Sequence, residues 1–429
     1  MIPQASLMVV APIASGREAA LRQLLSAMNL SPGRVDPLNP VIPFGRLETL
    51  HFARIVILDD LTVGDIAVYN LPPPSYPLSV TILADFDGTY DDFVRELIAI
   101  AGDGLRNIFS HCADFSPGAD LAAWMRAHEH PPATYYVNWR GRTVRQCREE
   151  ARLRSALVEY IARKPGLRKL PAAQFHQALR TFANAERAAG RLPLTPEPPT
   201  PVDWSFRNAL HAIFAAPAIV VSLTVWGVVL LLRLRSHEKS DPEICGPPPR
   251  EHVARLAEIE DHGLTNQFSA MGTLKPGLFR RVTLRLLLWA IEYTTRHVYT
   301  KGRLARVHTI HFARWVYIDG NQRLFFASNY DGSLESYMDD FINKVAFGLN
   351  VVFGNGIGYP RTRWLLLDGA KDEQKFKNFL RRHELVTNVW YNAHEGFTAA
   401  DLERNLRIRQ GIEASSMSDQ EAREWAALL

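Results

Sequence analysis

The chain carries one pattern twice, and this repetition limits what it can fold into more than any other feature. RLETLHFARIVILDD (46–60) aligns with RVHTIHFARWVYIDG (306–320), which sets His51 over His311 and Arg54 over Arg314. LADFDGTYDDFVREL (83–97) aligns with ASNYDGSLESYMDDF (327–341), which sets Asp87-Gly88 over Asp331-Gly332. WMRAHEHPPATYYVNW (124–139) aligns with FLRRHELVTNVWYNAH (379–394), with Arg126, His128, Glu129 and Tyr136 over Arg381, His383, Glu384 and Tyr391. Three blocks in the same order mark a tandem duplication, so the chain should fold as two copies of one unit.

Each copy reads as β-α-β-β-α-β. In the first, SLMVVAPI (6–13) is a strand by its apolar, β-rich character, and REAALRQLLSAM (17–28) places Leu21, Leu24 and Leu25 on one helical face. LETLHFARIVIL (47–58) and PLSVTILADF (77–86) form a strand pair, and Thr89 is a suitable N-cap for the helix that follows, with Asp91 and Asp92 at its positive end. TYYVNW (134–139) supplies the last strand. The second copy repeats the plan at 267–275, 277–299, 305–318, 322–330, 333–347 and 387–392. This is the split βαβ, or ferredoxin-like, order of an α+β fold. Its sheet carries helices on one face and needs cover on the other, and a second copy packed face to face would provide it. In this the chain resembles the dimeric α/β-barrel superfamily. The resemblance spans roughly 5–165 and 265–415, rests on topology, and implies a pseudo-dimeric α/β barrel within one polypeptide.

Between the copies lies AIFAAPAIVVSLTVWGVVLLL (Ala212–Leu232), 21 residues without a charge. As a helix it would cover about 31 Å, close to the roughly 30 Å of a bilayer's hydrocarbon core. Arg207 and His211 flank one end, and Arg233, Arg235 and Lys239 the other, as snorkelling residues would. Pro-rich stretches at 192–202 and 236–251 set the boundaries: a first repeat at 1–190, linkers and membrane segment at 191–251 (the segment itself at about 209–235), and a second repeat at 252–429. A single crossing would put the copies on opposite sides of the bilayer. A kinked or re-entrant element at Pro217 keeps both on one face, cytoplasmic by default. The helix at 277–299 mixes Leu286, Leu287, Trp289 and Tyr293 with Arg280, Arg281, Arg285 and Arg296, which suits either a headgroup region or a core helix with a solvated arginine face.

Lys and Arg (49) exceed Asp and Glu (45) by only four, which argues against a nucleic-acid partner. Cys112, Cys147 and Cys245 lie far apart with no CxxC, so neither a disulfide framework nor a structural zinc site is indicated. No GxSxG or P-loop is present, and GNGIG (354–358) does not open a clear helix. The Arg- and Glu-rich stretch at 145–164 reads as a salt-bridged solvated helix face.

The repeated polar residues are the remaining candidates for chemistry. Strand alternation puts His51 with Ala53 and Ile55 on one face and Arg54 with Phe52 and Val56 on the other, so one polar side chain must enter a covered layer and find partners there. Asp87 and Glu129, with Asp331 and Glu384 in the second copy, are the available carboxylates. Their recurrence in both copies fits a structural network that fixes strand register.

A second reading starts from SNYDG (328–332), which resembles the GxxDG motif of dye-decolorizing peroxidases, although Ser328 stands where the first glycine would. That resemblance implies a haem cofactor, Asp331 and Arg314 as catalytic residues, and His311 or His383 as the iron ligand. Trp315, Tyr317, Asn329, Trp364 and His394 occur in the second copy alone and favour that half for any ligand. The expectation is a membrane-attached oxidoreductase, peroxidase-like, acting on a hydrophobic or lipid-like substrate. The alternative is a non-catalytic module that binds an apolar ligand or scaffolds a membrane complex. The partners are then a lipid bilayer and a hydrophobic small molecule, and homo-oligomers are left open.

Overall fold

The computed structural model describes residues Met1–Leu429 and is an α+β fold with two four-stranded antiparallel sheets and one long apolar helix. The eight sheet strands are β1 (Gln4–Pro12), β2 (Leu50–Ile57), β3 (Ser79–Asp87), β4 (Thr134–Val137), β5 (Thr265–Thr273), β6 (Ile310–Ile318), β7 (Arg323–Asp331) and β8 (Thr387–Asn392). The principal helices are α1 (Glu18–Ser26), α2 (Tyr90–Phe109), α3 (Leu121–Ala127), α4 (Val144–Arg163), α5 (Ala172–Ala188), α6 (Val202–Ser240), α7 (Arg250–Ala257), α8 (Leu278–His297), α9 (Leu334–Phe353), α10 (Glu373–His383) and α11 (Ala399–Glu413).

The sheet orders are β1-β3-β2-β8 and β4-β6-β7-β5, so the last strand of each half completes the sheet of the other. Trp390 on β8 lies opposite Arg54, and Tyr135 on β4 lies opposite Arg314. Before each exchange the chain touches its own sheet briefly. Val10 and His130 N–H groups bond His128 and Met8 carbonyls beside β1, and the Leu385 N–H bonds the Ser269 carbonyl beside β5. These contacts are isolated bridges. The sheets stay separate and do not close into the expected barrel, because the crossing segments turn away after two or three residues.

The side chains sort as the alternation requires. Ala53, Ile55, Ile82 and Ala84 face α2 and α3 in one core. Ala313, Trp315, Phe326 and Phe268 face α8, α9 and α10 in another. A third layer fills the space between the sheets: Met8, Val56, Leu58 and Leu83 from one, Met271, Val316, Ile318, Phe325 and Ala327 from the other, with Leu385. At roughly 1.5–3 kcal/mol for each buried aliphatic, this layer is the main adhesive between the halves.

Local irregularities recur at matching positions. Ala101 in α2 and Val345 in α9 both leave helical geometry, with φ of −131° and −141°. Register shifts occur between Leu50 and Phe52 and between Ile310 and Phe312. These bulges sit at His51 and His311, and they correct the expected alternation. The imidazoles swing to the side of Phe52 and Phe312 rather than that of Ala53, as an extra residue in a strand re-aims its side chain. Thr89 caps α2 as expected, accepting from the Asp92 N–H at 3.2 Å.

Two other expectations change. The residues Val202–Ser240 form one continuous 39-residue helix with Pro217 inside, rather than a re-entrant element. The proline's missing N–H is tolerated on an outward-facing turn, where Pro217 and Ala218 are exposed. On α4, Glu149 and Glu150 are buried rather than solvated, because α11 packs over that face and Arg142 pairs with Glu150.

Since the exchanged strands and the inter-sheet layer hold the halves together, the linker is not needed for their association. A protein cut once within 192–201 should elute intact from size exclusion under native conditions and separate only in denaturant. Elution as two species would refute the exchange.

Candidate functional site

Two polar assemblies occupy the junction of the halves. The first is a seam of arginines. Arg54 extends from β2 across the inter-sheet layer and donates to the carbonyls of Phe268 (2.8 Å) and Ser328 (2.9 Å), to Ser269 Oγ (3.0 Å) and to Asn329 Oδ1. Arg314 makes the reciprocal reach from β6 to the carbonyls of Leu7 (2.8 Å) and Ala84 (3.1 Å) and to Asp85. Each guanidinium also lies against an aromatic ring of an exchanged strand, Arg54 on Trp390 at 5.1 Å and Arg314 on Tyr135 at 5.6 Å. Main-chain carbonyls compensate the desolvation that burial imposes on a charge.

The seam departs from symmetry in its charge. Asp85 and Asn329 are equivalent, so two arginines share a single carboxylate. Asp85 accepts from Arg314, from Tyr135 Oη (3.0 Å) and from Asn329 Nδ2 (3.2 Å). Burial lowers the Arg54 pKa to about 9, and the nearby Asp85 carboxylate opposes that shift. Burial likewise raises the Tyr135 phenol well above its ordinary value, so it stays a hydrogen-bond donor.

The second assembly contains the repeated histidines. His51 Nε2 meets Asp87 Oδ1 at 2.9 Å, and His311 Nε2 meets Asp331 Oδ1 at 2.7 Å. Each aspartate uses its second oxygen on the first turn of a helix. Asp87 Oδ2 accepts from the Val144 N–H of α4 and Asp331 Oδ2 from the Ala399 N–H of α11, at 2.8 and 2.7 Å. A third ligand completes each pair, with Gln4 donating to Asp87 and Thr265 to Asp331. A carboxylate at a helix N-terminus is favoured by the dipole, so the pair orients both imidazole and helix.

The halves differ again next to this pair. His394 Nε2 lies 2.9 Å from His51 Nδ1, whereas the equivalent of His394 in the first half is Trp139. Asp87 fixes the His51 proton on Nε2, so with a neutral His51 it is His394 Nε2–H that donates to His51 Nδ1. His51, His311 and His394 line a cavity of about 40 Å³ with Phe52, Phe312 and Cys147, room for a few waters. Burial, with His51 and His311 close by, pushes the His394 imidazole well below its ordinary value. Burial also pushes the Cys147 thiol up to about 12, so it is no thiolate nucleophile near neutrality.

The residues expected around haem do not assemble into one site. Arg314 is spent in the inter-sheet seam, and Asp331 has both oxygens engaged. His383 lies elsewhere, at the end of α10. Its Nδ1 bonds the Phe379 carbonyl at 2.8 Å, and its ring lines a separate apolar cavity of about 30 Å³ beside Gly272 and Ile357. Sites for ligands of drug size or above are usually some 300–1,000 Å³, so neither cavity fits a porphyrin. No cluster of three or more His, Cys, Asp or Glu side chains has the arrangement to hold a metal ion.

The paired carboxylates are also settled. Asp87 serves His51 as expected, but Glu129 and Glu384 instead pair with Arg126 (2.8 Å) and Arg381 (3.2 Å). Asp85 and Tyr135 were not singled out by the sequence. The available signal was Asp85 standing two residues before Asp87 on the same face of an otherwise apolar strand.

No protein-family model matches this chain, and no curated protein or solved structure matches it.

Two outcomes follow from this geometry. Arg314→Met leaves the Asp85 carboxylate buried without its cation and should destabilise by about 3–5 kcal/mol in urea unfolding, with Asp85→Asn in the same chain recovering part of the loss. An Arg314→Met protein of unchanged stability would refute the seam. The pH dependence follows from His394. It is neutral when folded and titrates near 6.5 when unfolded, so its contribution is complete above that pH and is lost as pH falls below it. His394→Gln should therefore reduce the stability difference between pH 7.5 and 5.5 by about 1.4 kcal/mol. An unchanged difference would show that this imidazole is solvated.

Proposed function

We propose that this chain is a membrane-attached, non-catalytic scaffolding module in which two ferredoxin-like copies form an intramolecular pseudo-dimer. The matching bulges, helix irregularities and Asp-to-helix bonds of the two halves support the duplicated plan. The single observation that carries the attachment is the outward side of α6. Ile213, Phe214, Val220, Val221, Val225, Val228, Leu231 and Leu232 are each more than half exposed there, in an apolar strip far larger than the scattered hydrophobic residues normal on a soluble surface. The repeated arginines and histidines are occupied in holding sheets and helices, which supports a structural role for them. The cavity beside His383 is too small for a lipid chain. Both halves would sit on one side of the bilayer, the cytoplasmic side by default.

The competing reading is the haem-dependent oxidoreductase. Protein purified from membranes, incubated with haem and freed of unbound haem by gel filtration should retain no Soret band, and should float with phospholipid vesicles on a density gradient. A Soret band lost in His311→Ala or His383→Ala would restore the oxidoreductase. Failure to float would remove the attachment.

A further inference from the structure

The way α6 is fastened determines how such a membrane would be engaged. One side of this helix is tied along its whole length to α8 and the loop after α9. Near its start Asn208 accepts from Arg296 Nε (2.8 Å), and His211 meets His297 at 2.9 Å. At its middle Trp226 Nε1 donates to Thr283 Oγ1 at 2.9 Å, and Leu234 packs with Phe279 and Leu365. At its end Glu238 is buried and accepts from the Thr362 hydroxyl and from the Trp364 and Leu365 N–H groups, at 2.8–2.9 Å. Trp364 and Leu365 both adopt positive φ, 62° and 55°, an uncommon conformation for such side chains that aims successive N–H groups at one carboxylate. Just beyond, Asp241 pairs with Arg280 (2.5 Å) and Lys275 (3.0 Å). The helix α8 is itself fastened to the second sheet, since its Leu288 carbonyl and Glu292 carboxylate receive bonds from β4.

A helix spanning a bilayer in this state would carry α8 and the second sheet into the hydrocarbon, with Glu238, Asp241, Lys275 and Arg280. From this we infer that α6 is an in-plane anchor: its apolar strip sinks into one leaflet of an anionic bilayer, and both its ends stay on the same side. The inference rests on the membrane reading above and goes further in fixing orientation and lipid charge. The strip from Ile213 to Leu232 is about 30 Å long at 1.5 Å per residue. Arg207 bounds one end. At the other, Arg233 and Lys239 are exposed together with Arg281 and Arg285 on the adjacent half of α8. At the first end Arg207 is paired with Asp203 at 2.7 Å, so lipid headgroups of negative charge complement the second end. A second copy lying parallel on the same strip would not, because it sets this basic end on its like.

The full chain is tested three ways. Val221→Glu with Val228→Glu alters only exposed positions, so the circular dichroism spectrum should be kept while vesicle flotation is lost. Arg233→Gln, Lys239→Gln, Arg281→Gln and Arg285→Gln together should weaken partitioning onto phosphatidylserine-containing vesicles a hundredfold or more, at about fivefold per cation, and leave the weaker binding to neutral vesicles unchanged. Equal affinity for both vesicle types would overturn the lipid-charge assignment. Tags at the two termini, probed with protease in sealed membrane vesicles of one orientation, should be both cleaved or both protected. One cleaved and one protected tag would establish a span and overturn the in-plane anchor while keeping membrane attachment. No flotation with a dimer in size exclusion would overturn the attachment itself and make a second copy the occupant of the strip.

Discussion

Two guanidinium groups cross the gap between the sheets in opposite directions, and most of what is distinctive in this structure depends on that crossing. Arg54 and Arg314 each end on main-chain carbonyls of the other half, and each is roofed by an aromatic ring on a strand the other half has donated. Hydrophobic burial between the sheets supplies the larger energy, but aliphatic contacts tolerate sliding. An arginine fitted to two carbonyls does not, since a shift of one residue would point it at side chains instead. The arginines therefore fix the register in which the aliphatic layer can pack.

The break in this symmetry at Asp85 and Asn329 follows from charge. Two buried carboxylates beside two guanidiniums would balance on paper, but each ion must also lose its water. Replacing one carboxylate with Asn329 leaves a neutral group that accepts from Arg54 and donates to Asp85. The main chain then carries the remaining positive charge through carbonyl dipoles. The same logic separates His394 from Trp139. One position adds a polar link to His51 and the other closes the cavity with an indole, so two halves of matching layout hold chemically different ends.

Much of the fold could be read from the sequence because it is written twice. The strands at 50–57 and 310–318, the N-cap at Thr89 and the last strand at 387–392 lie where periodicity and the repeat placed them. The exchange of β4 and β8 was not legible, since a strand's own sequence records which face is apolar and not which edge it will join. The positions of His51 and His311 were misjudged for a related reason: a bulge leaves no mark in an alternating pattern until the partner strand is known. Asp331 and Arg314 were read from a short motif, and a motif does not record the hydrogen bonds that both side chains make in the folded protein. Glu149 and Glu150 looked solvated because the α11 face that covers them comes from the far end of the chain.

The exchange also bears on the long helix. A chain that donates its last strand forward and receives another back must keep both halves within one body, whatever lies between them. The helix α6 leaves the first half through one Pro-rich linker and re-enters the second through another. Its 39 residues span about 58 Å, nearly twice a hydrocarbon core. A helix of that length, tied at Asn208, Trp226, Glu238 and Asp241 to a body that cannot divide, would have to give up those hydrogen bonds and the Asp241–Arg280 ion pair to stand across a bilayer. Lying flat, it leaves every one of those bonds in place and turns only its apolar strip away from the protein. Hydropathy alone would mark this segment as a span. The decisive quantity is the number of polar attachments on its other side.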